Sequence, residues 1–188
     1  MHPTLSNETQ SQPATPLTPL YTENSVVFRG DGEPPSPEQL LKRLSAAHEA
    51  GLLQPDSYVR GGSVAALEDR FAEMLGKEAA VFFPTGTLAN HMAIRSLCGN
   101  KRRALVQEQS HLYHDTGDCV TQLSGINLIP LAKNRAHFPL EEIRQAATES
   151  HAGRVDTTIG AMMIESPVRR HMGQVMPLEE MRATTEYC

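Results

Sequence analysis

From residue 79 to residue 165 short apolar runs alternate with stretches of helical periodicity, and this alternation restricts the fold more than any other feature of the chain. Residues 79–83 read as a strand and 88–98 as a buried helix. Residues 104–107 read as a second strand with a helix after Ser110, and 126–131 as a third with a helix over 139–148. A fourth strand covers 159–165. Parallel neighbours cannot be joined by tight turns, so strands that alternate with helices are expected to lie parallel, with the helices as crossovers. The expected class is α/β with a mostly parallel sheet, and no internal repeat is visible.

The flanks are read by punctuation. Leu40, Leu41 and Leu44 mark a helix after a proline cluster, and a loop follows around Pro55 and Tyr58. Ser63 is expected to cap a helix that carries Leu67, Phe71, Met74 and Leu75 on one face, and Gly76 to end it. Pro177, with Glu179 and Glu180 behind it, opens a last helix. Residues 1–24, with Pro13, Pro16 and Pro19 among Ser, Thr and Gln, show no apolar periodicity and are expected to be a disordered tail. That leaves residues 25–188 as one partial domain. A parallel α/β domain normally closes its last helix against another strand, so the end at Cys188 reads as a truncation.

Composition narrows the partners. A net charge of −5 with the two signs intermixed provides no basic stripe for nucleic acid and no polybasic segment for an anionic membrane. No apolar run approaches the roughly 20 residues that span a bilayer and the start lacks the pattern of a signal peptide, so the expected location is cytoplasmic. Cys98, Cys119 and Cys188 lack metal-ligand spacing, and the first two are expected to be small buried hydrophobes. No metal site is expected among the eight histidines, since no His-x-x-x-His or Cys/His cluster occurs.

Three places carry candidate chemistry. Pro84-Thr85-Gly86-Thr87 joins the first strand to the helix behind it, so the backbone N–H groups of Gly86, Thr87 and Leu88 are expected to converge on one spot suited to a phosphate. Many strand-to-helix turns look like this and bind nothing. His111 and His114 follow the second strand, where the crevice beyond strand ends usually holds ligands. His111 could stack on a flat ring, with Asp115 one turn away to orient it, or both could be ordinary groups on a surface helix. Glu165 ends the fourth strand, and the polar loop after it carries Arg169 and Arg170, which could pair with helix carboxylates or with nothing. A nucleotide-binding reading would need a dinucleotide or Walker glycine loop, and neither occurs.

Taken in order, these segments resemble the amino-terminal part of the threonine aldolases and aromatic amino acid β-eliminating lyases, pyridoxal-phosphate-dependent enzymes of fold type I. The resemblance covers roughly residues 26–188 and rests on Leu67-Glu68, Gly76-Lys77-Glu78-Ala79-Ala80, Pro84-Thr85-Gly86-Thr87 with Asn90, Ser110-His111, Leu123-Ser124-Gly125, and the stretch from Glu165 to Pro177-Leu178. It implies an incomplete large domain of the transferase-like fold and a cofactor, pyridoxal 5'-phosphate. Gly86 and Thr87 would hold its phosphate, and Glu165 would belong to the cofactor site. His111 would stack on its ring and serve as, or position, the base for the substrate hydroxyl. Tyr58 matches a tyrosine near the phosphate site of a neighbouring subunit, which implies a dimer or tetramer acting on a small amino-acid substrate.

The sequence also departs from that pattern. Gly30 stands where the family usually has a serine, Val59-Arg60-Gly61-Gly62 follow Tyr58 in place of glycine and acidic residues, and Ser166-Pro167-Val168-Arg169 replace Asn-Thr-His-Asn. Family enzymes continue into a strand ending in Asp-Gly-Ala-Arg and another leading to the lysine that forms the Schiff base. Neither occurs here, and Lys42, Lys77, Lys101 and Lys133 fall where the resemblance places no active-site group. The strands that would flank residues 79–83 are also among those later segments, so this run is expected to lack a neighbour, with backbone groups unpaired and apolar faces open. In its complete form the protein is expected to be a lyase that cleaves a β-hydroxy amino acid to glycine and an aldehyde, or one that performs β-elimination. The alternative is a non-catalytic truncated remnant or assembly partner.

Overall fold

A computed structural model of the protein describes residues 36–188, so the expectations for the tail and for Gly30 fall outside the described residues. The chain divides into two compact units, Met1–Ser63 and Val64–Cys188.

In the first unit, α1 (Pro37–Glu49) starts with a reciprocal cap. The Gln39 N–H donates to Ser36 Oγ at 3.2 Å and the Ser36 N–H donates to Gln39 Oε1 at 3.0 Å, while Pro37 occupies the first helical position. Beyond it the backbone folds back in a two-residue turn, closed by Ser57 N–H to Arg60 O at 2.9 Å and Arg60 N–H to Ser57 O at 3.1 Å. Both central residues are left-handed, Tyr58 at φ 54° and Val59 at φ 63°. A β-branched side chain is strained there, since its Cβ crowds the adjacent carbonyl. Val59→Gly is accordingly expected to stabilise the chain by about 1 kcal/mol, read as a higher urea midpoint at unchanged slope.

Ser63 is not a helix cap. The helix α2 (Gly62–Leu75) starts one residue earlier, and the Ser63 hydroxyl instead accepts the Gln54 N–H at 2.8 Å and donates to Leu52 O at 2.7 Å. Gly76 ends α2 as expected. At φ 60° it turns the chain left, its N–H donates to Glu73 O and that of Lys77 to Ala72 O, the paired bonds of a Schellman end.

The second unit is built on three parallel strands in the order β2-β1-β3: β1 (Arg103–Gln107), β2 (Asn127–Leu131) and β3 (Ile159–Met162). Period-2 alternation along β1 sends Ala104 and Val106 to one face and Leu105 to the other. On the first face they meet Ile94 and Cys98 of α3 (Gly86–Cys98) and Val120 of α5 (Cys119–Ser124). Leu105 on the other face shares a core with Phe138, with Ile143 of α6 (Leu140–Ser150) and with Met181 of α7 (Leu178–Tyr187). Helices on both faces of a parallel sheet make this an α/β domain.

Several boundaries differ from the sequence reading. Residues 79–83 form no strand; the Phe82 N–H donates to Glu68 Oε1 at 2.7 Å, and Val81 and Phe82 stay exposed. The sheet therefore has three strands among the described residues, not four. Leu67, Phe71 and Leu75, with residues 80–83, line an open apolar cavity of about 320 Å³ instead of a closed core. Helix α3 is half-buried, with Ile94 and Cys98 inside and Leu97 outside. After Ser110 there is only a single turn, α4 (His111–His114), before α5. Pro177 precedes the first turn of α7 as its N-cap. Cys98 is buried and desolvation raises its thiol pKa, against a smaller opposing pull from Lys101, whereas Cys119 is only half-buried. No helix among the described residues is long and apolar enough to cross a membrane.

Candidate functional site

The polar groups gather where the strands end, because that is where apolar periodicity stops and loops begin. Gln107, the last residue of β1, is fully buried. Its Nε2 donates to Ala136 O and to Glu165 O, both at 2.8 Å, and its Oε1 accepts the Glu165 N–H at 2.6 Å. The regular strand ends at Met162, the Met163 N–H still donates to Leu105 O at 2.9 Å, and beyond that the Gln107 amide takes the place of the main chain in joining β1 to Glu165. The Glu165 side chain is then aimed at two backbone donors, the N–H of His111 and, at 3.0 Å, the N–H of Arg169. Ser110 holds the same corner by accepting the Tyr113 N–H. His111 and Glu165, separated by fifty-four positions, are in direct contact.

Asp115 lies one turn beyond His111, as the spacing required, with Oδ2 3.4 Å from His111 Nδ1. The same carboxylate takes Arg169 Nη2 at 2.6 Å and Arg170 Nη1 at 3.1 Å. The arginines therefore do pair, across the site. Desolvation pushes the Asp115 carboxyl upward, but the hydrogen bond and charge of Arg169, the charge of Arg170 and the His111 contact outweigh it and hold the group below the usual carboxylate range. A depressed value means that this grip is complete above the ordinary aspartate range and is lost as pH falls through the lowered pKa.

Helix α3 runs against the strands. Its last residue, Cys98, lies under the start of the sheet, where the Sγ donates to Arg103 O at 3.6 Å and the backbone packs on Gly160. Its first turn therefore lies toward the strand ends, the side that carries His111 and Glu165. Thr85 caps it by accepting the Leu88 N–H at 3.2 Å, so Leu88 is not one of the converging free donors. The N–H groups of Gly86 and Thr87 have no acceptor among the described residues. A Cβ built on Gly86 meets nothing within 4 Å, so there is open space beside that residue. Among the four lysines, Lys101 is at the opposite end of the sheet, lining a cavity with Gly160 and Cys188, and Lys133 lies on the β2 side, where its charge acts on Glu108. Tyr58 is 97% exposed at its turn in the first unit. No cluster of three metal-binding side chains occurs among the described residues.

Gln107 escaped the sequence reading, whereas the Arg169–Asp115–Arg170 bridge is one of the two alternatives it left open, with the partner unnamed. A glutamine closing the run Ala104-Leu105-Val106 was a usable signal, since a polar residue at the end of a buried strand must find partners. The bridge joins residues whose proximity only the crossover creates.

Fold and site define an α/β protein with a helix start whose first two N–H groups lack acceptors among the described residues and a histidine–carboxylate pair beyond the strands of a parallel sheet. The sequence pattern of the family described as "Beta-eliminating lyase" matches residues 40–188, and the chain belongs to that family. It is 30% identical over 133 residues to the low specificity L-threonine aldolase of Escherichia coli (strain K12), covering 70% of this chain and 38% of that protein. It is 28% identical over 165 residues to the aldolase vrtJ of Penicillium aethiopicum, covering 85% and 40%. The crystal structure of a protein assigned as an L-allo-threonine aldolase, from Listeria monocytogenes EGD-E, superposes with a TM-score of 0.69 at 27% identity, covering 84% of this chain and 42% of that one. The chain thus spans about two fifths of the length of these relatives.

Proposed function

We propose that this chain is the phosphate-holding and ring-covering part of a pyridoxal-phosphate-dependent lyase of amino acids. The observation that carries the reading is the pair of N–H groups at Gly86 and Thr87, without acceptors among the described residues, at the start of α3 where Gly86 is exposed. A phosphate monoester fits there: two backbone donors and the positive end of a thirteen-residue helix stabilise its charge, and the Thr87 hydroxyl adds a donor. Pyridoxal 5'-phosphate, when bound, supplies an electron sink that weakens bonds at the substrate Cα. His111 lies at the same end of the sheet, its side chain about two-fifths exposed. With Asp115 holding the Nδ1 side, Nε2 is left free to stack beside the ring and to accept a proton from a substrate hydroxyl. Glu165 fixes the backbone of His111 and so sets where that nitrogen stands.

In the whole protein the reaction would be aldol cleavage of a β-hydroxy amino acid or β-elimination, carried out by a dimer or tetramer in which Tyr58 reaches the phosphate site of a neighbour. The exposure of Tyr58 at a strained turn supports that role. Gly86→Val places a branched side chain in the phosphate space and is expected to weaken cofactor binding at least roughly tenfold. Titration of pyridoxal phosphate into the chain, followed by its ³¹P resonance, checks this, and equal affinity of variant and parent sinks the assignment. Borohydride reduction of the loaded chain then separates a lysine-linked enzyme from a non-catalytic assembly partner, which would bind but form no adduct.

A further inference from the structure

Arg169 and Arg170 are poorly used by the protein itself. Each donates a single N–H to Asp115, so most of the five donors on each guanidinium have no partner among the described residues. Two guanidinium cations share one carboxylate. Glu165 brings a second negative charge to this corner, but its two oxygens accept the backbone N–H groups of His111 and Arg169 and it forms no ion pair with either guanidinium. The Arg169 and Arg170 side chains remain 70% and 40% exposed, whereas Asp115 is 23% exposed. The backbone of Arg169 hangs on the same Glu165 carboxylate as that of His111, which ties the start of the arginine pair to the histidine.

We propose that Arg169 and Arg170 form the receptor for a carboxylate on the substrate side chain, with Asp115 standing in for that group when no ligand is present. Guanidinium forks match carboxylates in pairs of parallel hydrogen bonds, and this pair offers such forks beside His111. The substrate class is then an acidic β-hydroxy amino acid, with its second carboxylate on the arginines and its hydroxyl toward His111. When the ligand takes the arginines, Asp115 turns wholly to the Nδ1 side of His111. The arginine pair therefore links recognition of the side chain to the placement of the imidazole. This inference rests on the role proposed for His111, but the receptor itself is testable without cofactor.

The test uses the whole 188-residue chain labelled with ¹⁵N-arginine, titrated with malonate at constant ionic strength while the Nε–H resonances of Arg169 and Arg170 are followed. Saturable shifts of both are expected, with a loss of roughly tenfold or more in affinity for the R169Q/R170Q double variant. Asp115→Asn should tighten malonate binding, because it removes the competing carboxylate; a merely structural aspartate would loosen it. Unchanged affinity in the double variant or weaker binding in Asp115→Asn overturns the proposal. A second arm compares threonine with β-hydroxyaspartate: shifts confined to the diacid support a side-chain receptor, and equal shifts overturn it by showing that the arginines read the α-carboxylate. Failure of pyridoxal phosphate to bind while malonate binds would refute the cofactor reading and leave the receptor standing.

Discussion

Gln107→Leu is expected to lower the unfolding free energy by about 3 kcal/mol, because each buried polar group that loses its partner costs roughly 1–3 kcal/mol. Leucine fills similar space but leaves Ala136 O, Glu165 O and the Glu165 N–H without the bonds they now make. Gln107→Glu should be worse, since it removes the donor and places a carboxylate, fully buried, against two carbonyl oxygens. Urea unfolding followed by far-UV circular dichroism measures both. A Gln107→Leu variant within about 0.5 kcal/mol of the parent would show that the three bonds are replaced by solvent or are not formed. The effect should reach the site as well, since Glu165 is held by Gln107 and in turn holds His111.

The second large effect is expected at Gly160. A Cβ added there would stand 2.7 Å from Cys98 Cα, 2.9 Å from Lys101 Cβ and 3.0 Å from Cys98 O. Two of the three atoms are backbone, so no side-chain rotation relieves the overlap, and α3 would have to lift from the sheet. Overpacking of this sort costs typically 1–3 kcal/mol for small additions. Gly160→Ala is expected to cost about 2 kcal/mol and Gly160→Val about 3 kcal/mol, seen as a fall in Tm of roughly 2–4 °C per kcal/mol for a chain of this size. Because α3 carries Gly86 and Thr87, the alanine variant should also lose phosphate-site affinity while it is still folded. An alanine variant as stable as the parent would mean that α3 and β3 are farther apart than described.

How legible these features were differs residue by residue. Gly76, Thr85-Gly86 and the His111–Asp115 pair were readable because each depends on neighbours within about one helical turn, where conformational preference and hydrogen bonding act locally. Residues 104–107 were readable as a strand because burial on two faces demands continuous apolar sequence, and the runs 126–131 and 159–165 because short apolar stretches between helical ones fit strands, of which 127–131 and 159–162 pair. Residues 79–83 are an apolar run of the same kind yet form no strand: a strand needs a partner for its backbone groups, and this run lacks the neighbour that the resemblance already implied it would lack. Ser63 was misjudged for a related reason. Its hydroxyl had two possible uses, and the loop at Leu52 and Gln54 took it.

Contiguous sequence was enough for the α/β class, the order of the three strands that form, the family, and the positions of Gly86, Thr87 and His111 at the starts of helices. Periodicity, caps and strand-end loops are encoded in contiguous residues, and physical chemistry reads them without knowledge of the rest. Only the tertiary structure decided that Glu165 grips the backbone of His111, that Gln107 closes the sheet beneath them, and that Arg169 and Arg170 meet on Asp115. Those contacts join residues more than fifty positions apart. Which long-range partners meet depends on the register of parallel strands and the path of crossovers, quantities that no local stretch of the chain specifies.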